Sequence, residues 1–114
     1  KQKPGLMMKL FLQTGRAFDA VVCYNDQIAI QVMDALRLEG VRIPEDVSVT
    51  GYDNSAMARA GEIGLTTIAH PQEKLGEMAA ELILEKIRKV PEEESKVGRL
   101  IQPELIIRES VAEK

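Results

Sequence analysis

An α/β fold built on a parallel sheet is the class this sequence predicts, on three observations. The run "FDAVVCY" is apolar on both faces rather than alternating, as strands are when helices cover two sides of a sheet. Directly after it the period changes to that of an amphipathic helix, with Ile28, Ala29, Val32, Met33 and Leu36 on one face. A second β-rich run, "VSVTGY", then follows a connection long enough to hold that helix, and such connections join parallel strands by right-handed crossovers. At 114 residues the chain has material for one modest core and is read as one folding unit.

The elements follow in order. After Pro4, the residues Leu6, Met7, Leu10 and Phe11 recur at helical spacing, and Gly15 is a natural stop. "FDAVVCY" is expected to be a central strand. The helix from Gln27 ends at Gly40, "VRIPED" supplies a turn, and the short strand through Val47 and Val49 is broken by Gly51. "SAMARA" suits a short helix and "LTTIA" a further strand after Gly64. Pro71 opens the longest helix, whose stripe of Leu75, Met78, Ala79, Leu82 and Ile83, widened by Leu84 and Ile87, is expected to cover a sheet. "RKVPEEESK" reads as a solvated loop. At the end, "VGRLIQPELIIRES" offers two short β-rich pieces separated by "QPE", where Pro103 argues for an edge or a bend.

Composition removes several functions. Fifteen basic against eighteen acidic residues give a net charge of -3, which disfavours a broad phosphate-binding surface on this chain. The single cysteine, Cys23, lies in an apolar run and is read as a buried structural thiol suited to a reducing compartment. The opening residues do not resemble a signal peptide, and no segment is apolar enough to span a bilayer, so no membrane partner is expected. One histidine and one embedded cysteine leave no set of zinc ligands. No glycine-rich phosphate loop, G-x-S-x-G elbow or G-x-G-x-x-G fingerprint is present, so neither a cofactor nor catalysis is expected. An enzyme using Asp26 and Asp53 as an acidic pair would lack a matched nucleophile or lysine.

The polar clusters at the strand ends carry the functional reading. In an open parallel sheet, ligands collect where carboxyl ends of strands meet amino ends of helices. Asn25 and Asp26 stand at one such end, and one of them is expected to cap the following helix. Capping by one does not explain its neighbour, and the next strand repeats the pattern with Tyr52, Asp53, Asn54 and Ser55. A third ends in Thr66, Thr67 and His70, so three strands are expected to present polar groups along one edge. Carboxylates and amides at fixed angles suit sugar hydroxyls, which both donate and accept, and the ring of Tyr24 or Tyr52 could pack on a sugar's C–H face. His70, before Pro71 at a strand-to-helix junction, is either a cap or a ligand contact.

The segments "AFDAVVCYNDQIAIQVMDALRLEGVRIPEDVSVTGYDNS", "LTTIAHPQEKLGEMAAELILEKI" and "PELIIRES" resemble, in this order, the effector-binding region of LacI/GalR-type transcriptional repressors. "YNDQIA", "IPEDVSVTGYDN", "LTTI" and "RES" are the most specific elements. The "CYND" run and the pairing of His70 with Pro71 are most similar to arabinose-responsive repressors, which join such a sensor to a winged-helix DNA reader of the GntR type. The resemblance implies a periplasmic-binding-protein-like, flavodoxin-like doubly wound fold, here a partial effector domain of a cytoplasmic, dimeric regulator. It implies effector contacts by Asn25 and Asp53, with His70 at a position that often carries glutamine at the cleft or hinge. Residues to about 64 and about 98–110 would belong to the C-terminal subdomain, and the helix at about 70–90 to the N-terminal one. The DNA-binding segment and most of the N-terminal subdomain have no counterpart here, so operator DNA would be met through a domain outside this chain. A transport-type sugar-binding protein is the alternative, sharing the fold. The broad apolar stripe of the last helix leads to the expectation that the chain dimerises or exchanges elements to cover it.

Overall fold

The computed structural model describes residues 3–96 and 100–113. In chain order these form α1 (Pro4–Leu12), β1 (Ala20–Val22), α2 (Asp26–Leu38), β2 (Ser48–Thr50), α3 (Met57–Ala60), β3 (Thr67–Ala69), α4 (Gln72–Ile87), a 3-10 turn (Glu92–Glu94) and β4 (Glu104–Ile106). They fall into two compact units, one of Lys1–Ala69 with Leu105–Lys114 and one of His70–Glu104.

The first unit holds the sheet and the core. β1 and β2 pair in parallel, with Ala20 opposite Ser48, Val21 opposite Val49 and Val22 opposite Thr50. A parallel bridge from Thr50 to Thr66 carries the order on to β3, which pairs with β4. α2 provides the crossover from β1 to β2, and the apolar face expected for it is the one that packs: Ala29, Val32, Met33 and Leu36 are all buried. Burial stabilises a side chain such as Leu36 by roughly 1.5–3 kcal/mol. Val49 of β2 and Leu65, just before β3, close the core from the sheet side. Gly40 ends α2 in the left-handed conformation (φ 79°), letting Val41 N–H donate back to the Leu36 carbonyl.

Two expectations need correction. α1 forms where its spacing predicts, but the face is different: Met8 is buried, whereas Leu6, Met7, Leu10 and Phe11 are exposed. The helix is apolar nearly all round, so spacing alone could not choose its inner side. β1 is not central: among the described residues it pairs only with β2, and Val22 is 84% exposed. Apolarity on two faces records that a strand tolerates cover, not that this chain supplies it. At the end of the chain, one of the two expected β-rich pieces forms a strand. β4 begins directly after Pro103, and the earlier β-rich piece lies partly on residues 97–99, outside the described residues.

The second unit is built on α4, which begins just after Pro71 as expected. None of its residues is buried, and Leu75, Ile83, Leu84 and Ile87 are exposed. The charged loop after it tightens into the short 3-10 turn, where Ser95 Oγ–H donates to the Glu85 carboxylate.

Candidate functional site

The candidate site lies at the carboxyl ends of β1 and β2. The chain leaves β1 through Cys23 and Tyr24, and Asn25 caps α2: its Oδ1 accepts from Ile28 N–H at 2.8 Å. That is the capping role expected of this pair, and it leaves the Asn25 amide nitrogen with its donors for another partner. Beyond β2, Tyr52 and Asp53 follow Gly51. Cys23, Tyr24, Asn25, Tyr52 and Asp53 together line a cavity of about 420 Å³. Its wall combines an amide, a carboxylate and two phenol rings, the donor, acceptor and flat apolar surfaces that a polyhydroxylated ring requires. Tyr24 is 85% exposed and Tyr52 is 37% exposed, so both rings have faces open to solvent. Cys23 is buried, and burial pushes its thiol up to about 11, so it is a neutral part of the wall.

Asp26 does something different from its neighbour. It is 1% exposed, and its carboxylate accepts three hydrogen bonds: from Ser55 N–H (2.6 Å), from Ser55 Oγ–H (2.9 Å) and from Thr67 Oγ–H (2.6 Å). Its own N–H donates to the Tyr52 carbonyl. One side chain at the start of α2 therefore ties together the segments leaving β2 and entering β3. Gly51 makes this possible, since a Cβ there would collide with Asp26 Oδ1 and with Leu65 Cδ2. With its lone pairs directed at Ser55 and Thr67, Asp26 is a structural junction and not half of an acidic pair.

The segment after β2 takes an uncommon backbone path. Asp53 and Asn54 both have positive φ, 110° and 50°, which is costly for residues other than glycine. The Asp53 N–H donates to the Ile68 carbonyl at 2.9 Å, and the Asn54 N–H donates to Thr67 Oγ at 3.2 Å. The result exposes Asp53 at the cavity while Asn54 turns inward.

Of the three residues expected to meet a ligand, Asn25 and Asp53 line this one cavity, and His70 opens the second unit directly after β3. Thr66 and Thr67 do not extend the polar edge. They are buried, Thr67 bonded to Asp26 and Thr66 to the chain at Arg108 and Ser110. A polar residue at a strand end looks the same in sequence whether its partner is solvent or a distant backbone.

Sequence reasoning also passed over the work of "RES". Arg108 donates to the Leu65 carbonyl (2.8 Å) and to Asn54 Oδ1 (2.6 Å). Glu109 accepts from Gly64 N–H, and the buried Ser110 hydroxyl accepts from Thr66 N–H while donating to the Val49 carbonyl. The motif was legible as a resemblance, but its contacts span more than forty residues, as in the 42 separating Arg108 from Thr66, and no local pattern reports them. Among the described residues, no group of three or more His, Cys, Asp or Glu is placed to hold a metal ion. Among the same residues, no helix is long and apolar enough to cross a membrane.

Residues 4–111 match the family model of the periplasmic binding protein-like domain. The chain is 41% identical over 95 residues to the arabinose metabolism transcriptional repressor of Geobacillus stearothermophilus, covering 82% of this chain and 26% of that protein. Among solved structures it is similar to a LacI family transcriptional regulator from Arthrobacter sp. FB24 in complex with lactose. There the TM-score is 0.84 at 27% identity, covering 96% of this chain and 41% of that one. It is also similar to the lac repressor dimer bound to operator and the anti-inducer ONPF, with TM-score 0.82 at 26% identity, covering 95% of this chain and 37% of that one. The chain thus spans about a quarter of the length of the curated relatives it matches.

Proposed function

The chain belongs to the periplasmic binding protein-like domain family, in the form carried by LacI/GalR-type regulators, and on that premise we propose that it senses a small sugar for a transcriptional repressor. The observation that carries this reading is the shared cavity of Asn25 and Asp53 at the carboxyl ends of two parallel strands. The Asn25 amide donates to one sugar hydroxyl, the exposed Asp53 carboxylate accepts from others, and the rings of Tyr24 and Tyr52 receive the C–H face. His70 adds a contact from the segment that follows β3. The similar proteins are named as transcriptional regulators, and the Asp26 carboxylate is engaged by Ser55 and Thr67.

In this reading, residues to about 64 and about 98–110 form one subdomain, the helix at about 70–90 belongs to the other, and sugar favours their closed arrangement. A ligand shifts such an equilibrium only by its differential affinity for the two states. A near-complete switch requires about 5.5 kcal/mol of preference, within reach of a few desolvated polar contacts in each protomer of a dimer. DNA-reading heads outside this chain would then change spacing and operator affinity. The Geobacillus relative makes arabinose the first effector to try.

Calorimetry of the full-length protein against pentoses, hexoses and purines tests the assignment. We expect an aldopentose to bind and Asp53→Ala to weaken it about ten- to a hundredfold, the loss of one or two hydrogen bonds to a charged group, with the fold intact. Unaltered sugar affinity in Asp53→Ala would remove Asp53 from the site.

A further inference from the structure

We infer that Arg108 is a positioning residue for the effector site, holding the Asp53 segment in its ligand-ready path by gripping Asn54. The inference deepens the sugar-sensing reading and rests on it for the ligand, although not for the geometry. Two consecutive positive-φ residues, Asp53 and Asn54, form a segment that the backbone does not favour on its own. Its two main-chain N–H groups donate to β3, and the N–H of Ser55, which follows it, donates to Asp26. Within it, the side chain of Asn54 is grasped by the Arg108 guanidinium, Nη2–H donating to Oδ1 at 2.6 Å.

Arg108 is itself braced. Its other guanidinium nitrogen donates to the Leu65 carbonyl at 2.8 Å, and its N–H donates to Thr66 Oγ at 2.8 Å. Its aliphatic stem lies against Gly64, where an added Cβ would meet Arg108 Cδ at 2.8 Å. A guanidinium fixed on one side and bonded to Asn54 on the other transmits its position to the residue before Asn54, which is Asp53. The tail that follows β4 is thereby part of the ligand site without touching the ligand, and a displacement of that tail would be felt at the Asp53 carboxylate.

The test uses amide hydrogen exchange of the full-length protein, which reads the segment with or without a ligand. Arg108→Met should raise exchange at the Asp53 and Asn54 amides at least tenfold, Arg108→Lys should restore part of the protection, and Glu109→Ala, which leaves the Asn54 contact in place, should change neither amide. Asn54→Ala alone also loses the left-handed preference of asparagine. In the double-mutant cycle with Arg108→Met that contribution cancels, and the double variant should show less than the sum of the two single effects. In parallel, arabinose affinity should fall about fivefold or more in Arg108→Met. Unchanged exchange in Arg108→Met, strictly additive effects in the double variant, or an equal effect of Glu109→Ala would overturn the inference. If Arg108→Met does not fold, Arg108→Lys against Glu109→Ala decides by the same comparison. Absence of arabinose binding to the unsubstituted protein would count against that effector while the exchange data still decide the role of Arg108.

Discussion

Asp26 shows how much one side chain can hold when its surroundings are built around it. Three donors converge on a nearly inaccessible carboxylate, and Gly51 has no Cβ to obstruct them. Removing the acceptor strands the Ser55 and Thr67 donors, and leaving buried partners unsatisfied costs far more than a solvated contact contributes. We therefore expect Asp26→Ala to lower stability by about 1–3 kcal/mol in urea unfolding. Gly51→Ala should be destabilising through the same junction, because the added methyl meets the carboxylate and Leu65. A loss below about 1 kcal/mol for Asp26→Ala would show that the junction contributes little. Asn25, one position earlier, has the opposite character: its oxygen serves the helix while its nitrogen remains available, so a cap and a ligand contact coexist in one amide.

At the scale of elements, the "RES" tail ties β2 to the chain around β3. The Ser110 hydroxyl joins the Val49 carbonyl to the Thr66 N–H, while the Ser110 main chain bonds Val49 N–H and the Gly64 carbonyl. Ser110→Ala leaves two buried backbone groups without a partner and should cost about 1–3 kcal/mol, measurable as a reduced urea midpoint with an unchanged m-value. α2 was legible in sequence because its apolar and polar faces contrast: of the expected Ile28, Ala29, Val32, Met33 and Leu36, the last four are buried and Ile28 is half-buried. α1 was legible as a helix but not in its orientation, since "PGLMMKLFL" has little polar contrast to direct it. Of the site, the positions of Asn25 and Asp53 followed from strand ends. The consumption of Thr66, Thr67 and Ser55 inside the protein did not, because their partners Asp26 and Arg108 are set by long-range pairing and not by spacing.

Taken whole, the chain leaves apolar surface in the open. α1 exposes Leu6, Met7 and Leu10, and α4 exposes Leu75, Ile83, Leu84 and Ile87. Contiguous apolar patches of this kind drive association, so sedimentation of the isolated 114-residue chain should show concentration-dependent dimers or larger species. Ile83→Lys with Ile87→Lys should shift it toward monomer without loss of helix content. A monomer at all concentrations with α4 packed internally would contradict this expectation.

The Ser110 bond to Val49 spans 61 residues of chain. At ribosomal speeds of about 5–20 residues per second, β2 emerges seconds before the hydroxyl that completes it. During that interval the Val49 carbonyl and the Thr66 N–H lack the Ser110 hydroxyl, so nascent chains in which "RES" has not yet left the ribosome should be more open to protease attack around β2 and more readily captured by chaperones than chains in which it has.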